Sequence, residues 1–183
     1  MTLVDGRSLA LIRGGRLLFE GLDLSLPPSG AVLLTGPNGC GKSSLIRLVA
    51  GLLQPSAGTI RSAQAALADD NLALDRELPL GRALAFWKGP HQSEATTAFG
   101  LDPLRDIPVR LLSTGQARRA RLARVMASGA PLWLLDEPLN GLDSDGMAWL
   151  DDAIAGHRAA GGGVIAASHR APGGEWQELA VGR

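Results

Sequence analysis

Tyrosine is absent from the 183 residues, and aromatic side chains make up only 4% of them. Lysine is nearly absent as well: of 18 basic residues, all but Lys42 and Lys88 are arginine. A single cysteine, Cys40, excludes an internal disulfide framework and agrees with a reducing compartment. No run of eighteen apolar residues occurs, so nothing reads as a membrane-spanning helix. The start of the chain lacks the basic-then-apolar pattern of a secretory leader, and a soluble, cytoplasmic-side protein is expected. Excess charge is missing too. A formal net charge of +0 gives no support to a polyanion partner such as DNA. What remains, 45% hydrophobic and 20% charged, describes a globular chain able to bury a core as one domain.

The pattern along the chain is that of strands alternating with helices. Leu22, Leu24 and Leu26 alternate with Asp23 and Ser25, the period of a half-buried strand, before Pro27-Pro28-Ser29-Gly30 forces a turn. Ala31 to Thr35 is a continuous apolar run, as in a strand buried on both faces of a parallel sheet. Leu45, Ile46, Leu48 and Val49 mark a helix over 43–53, ended by Gly51 and Pro55. A short strand is expected over 65–68. Residues 55–111 are the least regular, broken by Pro79, Pro90, Pro103 and Pro108, with one helix around 80–87. A long helix over 114–128, a buried strand over 132–135, a helix over 147–160 and a strand over 164–167 complete the reading. The order implies a mostly parallel α/β sheet. No internal repeat or linker suggests a second domain.

The glycine-rich segment Gly36-Pro37-Asn38-Gly39-Cys40-Gly41-Lys42-Ser43, followed by Ser44, fits G-x-x-x-x-G-K-[ST] between a strand and a helix. Glycines let backbone N–H groups turn inward around phosphate oxygens, and the helix start adds a favourable dipole. Lys42 supplies a compact charge to the terminal phosphates of a nucleotide, and the Ser43 hydroxyl can coordinate Mg²⁺. Arginine enrichment is accounted for by genomic base composition; the placing of a rare lysine here is not. Cys40 reads as small packing within the loop rather than as a nucleophile.

Asp136 and Glu137 close the apolar run Leu132-Trp133-Leu134-Leu135. Ligands bind at the carboxyl ends of parallel strands, which places both carboxylates beside the phosphate loop. Successive residues on a strand point opposite ways, so they take different tasks. Asp136 is the expected Mg²⁺ group, and Glu137 the general base that polarises the attacking water.

Ser113-Thr114-Gly115-Gln116 opens a helix bearing Arg118, Arg119, Arg121 and Arg124. Alone it is an ordinary helix cap, although a serine and free helix-start N–H groups also suit an anion. Together with the loop and the Asp-Glu pair, it resembles the signature of the ATP-binding cassette (ABC) ATPases, usually L-S-G-G-Q, from which Thr114 departs. The resemblance covers essentially the whole chain. It implies an ABC-type P-loop NTPase over 1–183: a mostly parallel core, an antiparallel β part and a small helical subdomain at about 72–128. It implies ATP and Mg²⁺, and a head-to-tail homodimer in which Ser113, Thr114, Gly115 and Gln116 meet the γ-phosphate held by the opposite subunit. Asn140-Gly141-Leu142-Asp143 resembles the D-loop, with Asp143 reaching across the dimer, and His169 resembles the switch histidine. His91 and His157 lie in no motif and read as surface residues; Trp133 and Trp149 read as core, and Trp87 as either a partner contact or a buried residue.

Two positions depart from the family. Its adenine-stacking aromatic belongs near residue 13, where this chain has Arg13, whose guanidinium plane can stack on a base. Its Q-loop glutamine is replaced within Asp69-Asp70-Asn71, with Asn71, one methylene shorter, as the stand-in Mg²⁺ contact. Within the family, Asp106-Ile107-Pro108-Val109, Leu112-Ser113, Gly115-Gln116, Arg118-Arg119 and Leu122-Ala123-Arg124 are similar to the ATP-binding subunit of the haem exporter of cytochrome c biogenesis, and Leu84-Ala85-Phe86-Trp87 fits too. That implies a peripheral ATPase on the cytoplasmic face of the bacterial inner membrane, with separate permease subunits, no membrane insertion and no nucleic acid. ATP use would drive haem delivery or release of the haem chaperone. The alternatives are another small exporter, for a drug or lipid; a soluble ABC ATPase acting on ribosomes or DNA; and a degenerate, non-hydrolysing cassette.

Overall fold

The computed structural model describes residues 2–71, 73–87 and 89–182. Lys88, and Leu72 at the expected start of the helical part, lie outside the described residues, as do both terminal residues.

An antiparallel sheet comes first. Strands β1 (Val4–Arg13) and β2 (Arg16–Leu26) join through Gly14-Gly15, both left-handed, which matches the twist of a two-residue hairpin. β4 (Ala57–Ser62) pairs antiparallel on the other edge of β1. The second sheet runs β5 (Ala65–Ala68), β6 (Leu132–Asp136), β7 (Gly163–Ala167), β3 (Ala31–Thr35), β8 (Gln177–Ala180), with every pair parallel.

Helices α1 (Lys42–Val49), α4 (Thr114–Ala127) and α5 (Ser144–Ala159) belong to the parallel sheet, and the short α2 (Leu80–Ala85) and α3 (Gln92–Ala98) pack on α4. Alternation along the central strands divides the core in two. Val32, Leu34, Leu132, Leu134, Ile165 and Ala167 join α1 and the antiparallel strands. Leu33, Trp133, Leu135, Val164 and Ala166 join α2–α5. Leu134 and Ile165 are fully buried, and removing such a side chain to alanine costs about 2–5 kcal/mol.

The expected elements form, with differences at their ends. α1 stops at Val49 rather than near residue 53, because the Gly51 and Leu52 amides turn back to the Leu48 and Arg47 carbonyls. α5 starts three residues early, at Ser144, since Asp143 caps it by accepting from the Gly146 amide at 2.8 Å. β4, α3 and β8 had no forecast. β4 and β8 are short and mostly exposed, so neither carries an alternating apolar pattern. His157 is not a surface residue. Its ring stacks on Trp133 at 4.0 Å and 10°, half-buried, and burial lowers its pKa. His91 is exposed, as expected, beside Glu94.

A nucleotide site at the ends of the parallel strands

The carboxyl ends of β3, β6 and β7 meet at one edge of the sheet, and the candidate residues gather there. Beyond β3 the chain turns at Gly36 with φ +136; a Cβ at that position would sit 2.9 Å from the Cys40 sulfur. Only glycine fits, and the buried Cys40 is packing, as read from the sequence. Lys42 is buried at the start of α1 and folds over the loop, its Nζ donating to the Gly36 carbonyl at 2.7 Å and to that of Pro37 at 3.2 Å. Beside it lies a cavity of about 290 Å³ lined by Arg13, Leu18, Gly39, Gly41, Lys42, Ser43 and Ser44. Arg13 Nη1 donates to Ser44 Oγ at 3.4 Å, so the arginine offered as a base-stacking group does border the loop. Leu18 adds an apolar wall that nothing in its sequence context announced.

At the end of β6 the two carboxylates diverge. Asp136 turns toward the loop and accepts from the Ser43 hydroxyl at 3.0 Å. Burial pushes its carboxyl above the ordinary range, the Ser43 hydrogen bond opposes this, and the charges of Asp70 and Asp69 add to the rise. Glu137 turns toward β7. Its amide donates to the Ala167 carbonyl at 2.8 Å, and its Oε1 lies 3.8 Å from His169 Nε2. Asn140 Nδ2 donates to Glu137 Oε2 at 3.4 Å. Glu137 has a φ of 48°, the left-handed region. A side chain held there costs on the order of 1–3 kcal/mol and persists only where the surroundings enforce it, typically at functional sites.

The turn that opens α4 is tied to this group through Arg118, whose Nη1 donates to the Glu137 carbonyl at 2.7 Å. Ser113 is exposed and caps α4 in a reciprocal box: its hydroxyl accepts from the Gln116 amide at 3.2 Å while its own amide donates to Gln116 Oε1 at 2.9 Å. Thr114 is exposed beside it. Gly115 lies against the Gly141 carbonyl, so the start of α4 touches the 140–143 turn of its own chain. Asp143 is engaged as the α5 cap. Asn71 folds onto Asp69, its Nδ2 donating to Asp69 Oδ2 at 3.2 Å, and is exposed. The acidic neighbours, rather than the amide, are the groups whose charge reaches Asp136.

A glycine turn at a helix start with a lysine beside it suits phosphate, and the oxygens of Ser43 and Asp136 suit a hard divalent cation. Among the described residues no three His, Cys, Asp or Glu side chains cluster as a metal cage. Residues 19–140 match the ABC transporter family. The chain belongs to the ABC transporter ATPases. Within that family it is 55% identical to the cytochrome c biogenesis ATP-binding export protein CcmA of Sphingopyxis alaskensis over 91% of its length and 88% of that protein. It is 56% identical to the CcmA protein of Novosphingobium aromaticivorans, over 88% of this chain and 86% of the relative. Membership therefore extends to the CcmA group. Among solved structures it is similar to an ATP-binding subunit of an ABC transporter, at TM-score 0.84 and 22% identity over 92% of this chain and 80% of that one. A nucleotide-free ATP-binding cassette gives 0.78 at 18% identity, over 93% and 82%. These two establish the fold. A nucleotide-binding ABC ATPase is the result.

Proposed function

We propose that this ATPase is the ATP-hydrolysing subunit of the haem exporter of cytochrome c biogenesis, working as a homodimer against integral permease subunits on the cytoplasmic face of the bacterial inner membrane. The whole chain is one ATPase domain, with the segment from about residue 72 to 128 as its helical part; the single apolar cluster that joins Leu80, Phe99 and Val109 to Leu33, Trp133 and Ala166 supports this. Identity to CcmA proteins across nine-tenths of the chain supports the assignment to cytochrome c assembly. No described helix is long and apolar enough to cross a membrane.

The observation that carries the chemistry is the divergence at the end of β6: Asp136 faces Ser43, and Glu137 faces His169. The turn from Gly36 to Ser44 binds the phosphates of ATP, with Lys42 moving from the loop carbonyls to phosphate oxygens and Arg13 against the base. Ser43 and Asp136 would hold Mg²⁺, with Asn71 as a further oxygen donor. The cation, when bound, neutralises charge on the phosphates. Glu137 takes a proton from water as the water oxygen bonds to the γ-phosphorus. The bond from that phosphorus to the bridging oxygen breaks, leaving ADP and phosphate. His169, a neighbour of Glu137, orients the γ-phosphate. Ser113, Thr114, Gly115 and Gln116 of the second copy complete the site with an exposed helix start, and Asp143 lies at the same junction.

The test is replacement in a bacterium lacking its own CcmA protein. The wild-type chain should restore haem-stained c-type cytochromes, and Glu137→Gln, expressed at equal level, should not. Restoration by Glu137→Gln would refute the role of that carboxylate, and failure of the wild-type chain would refute the assignment to cytochrome c assembly.

A further inference from the structure

Three arginines of α4 turn inward instead of toward solvent. Arg118, Arg121 and Arg124 recur every three residues and so share one side of the helix. Each ends on a backbone carbonyl at or just past a strand end: Arg124 on Leu67, Arg121 on Asp69, and Arg118 Nη1 on Glu137 at 2.7 Å. The Arg118 side chain is 13% exposed, and its Nη2 lies 3.6 Å from Asp70, which is 88% exposed. One guanidinium thus joins the signature helix, the Asp69-Asp70-Asn71 segment and the backbone of the strained glutamate.

We infer that Arg118 is a positioning residue for Glu137: by binding the Glu137 carbonyl it holds that residue in the left-handed conformation from which the carboxylate faces His169. The inference rests on the proposed role of Glu137 as base. The Asn140 amide also donates to the Glu137 carbonyl, at 3.3 Å, but it is neutral and on the same turn. Arg118 is the donor that comes from another element, and a charged donor makes the stronger bond. It touches no reacting atom and acts through a main-chain oxygen. Asp70, exposed at the outer end of the guanidinium, gives a surface contact a route to the catalytic carboxylate.

ATP hydrolysis by the purified full chain tests this. Arg118→Met should lower kcat about tenfold, as expected for loss of one charged hydrogen bond, while KM for ATP stays within about twofold. Arg118→Lys, which keeps a charged donor, should stay within about threefold of wild type. In a Glu137→Gln background, Arg118→Met should cause no further loss of single-turnover hydrolysis, because the group it positions is already disabled. Arg118→Gln carries the same expectation if the methionine variant fails to fold. An unchanged kcat, an equal loss in both backgrounds, or a loss in the lysine variant as deep as in the methionine variant would overturn the inference. Glu137→Gln at wild-type rate would instead overturn the reading of Glu137 itself. An inactive Glu137→Gln beside a fully active Arg118→Met would sink only the role of Arg118.

Discussion

Asp136 and Glu137 are adjacent carboxylates in unlike surroundings, and a single rotation of the backbone separates them. Burial raises the Asp136 pKa, with the Ser43 hydroxyl opposing. A carboxylate whose folded pKa exceeds its unfolded one penalises the fold above the folded value, and the penalty disappears below the unfolded value. Asp136→Asn should therefore raise the melting temperature of the nucleotide-free protein at neutral pH. That gain should shrink as pH falls through the raised Asp136 value and vanish below the ordinary carboxylate range, while Mg²⁺-dependent hydrolysis is lost throughout. Calorimetry across pH checks it, and a gain independent of pH would contradict it. Spacing made their divergence legible, since strand alternation alone separates neighbouring side chains. The left-handed φ of Glu137 was not legible, because it depends on Ala167 and Arg118, 30 and 19 positions away in the chain.

Elements defined by local pattern were readable, and those defined by distant partners were not. β3, β6 and β7 announce themselves as apolar runs, whereas β4 and β8 exist because β1 and β3 offer them an edge. α3 is seven residues with a weak apolar face, held mainly by α4. His157 belongs to this scale: on α5 it stacks against Trp133 of β6, and burial depresses its pKa. An imidazole kept neutral by the fold loses stability as pH drops below its unfolded value toward its folded one. His157→Phe keeps the stack and should flatten the pH dependence of stability below the ordinary imidazole range; an unaltered slope in urea unfolding would contradict that. The signature helix also separates two roles for Ser113. Ser113→Ala breaks the capping box and should cost about 1 kcal/mol of stability. Ser113→Arg should leave nucleotide affinity of the single subunit nearly unchanged yet block association.

For the molecule as a whole, the two sheets and helices α1, α4 and α5 bring the phosphate loop, Asp136, Glu137 and His169 to one edge, and leave Ser113 and Thr114 exposed. In the proposed homodimer, a second copy placed head to tail would bring its exposed Ser113 and Thr114 to the nucleotide held by the first. Trp87 is exposed, which excludes the buried alternative read from the sequence. Arg124 stacks over its ring and its Nε1 donates to the Ala73 carbonyl, which ties the end of the α2 segment to α4. The measurement that bears most directly on the shared site is light scattering of Glu137→Gln with Mg²⁺ and ATP. The molecular mass should double on adding ATP, stay single with ADP, and stay single in the Glu137→Gln, Ser113→Arg double variant. A Glu137→Gln protein that binds ATP and remains a monomer, or a double variant that dimerises as well, would contradict the account.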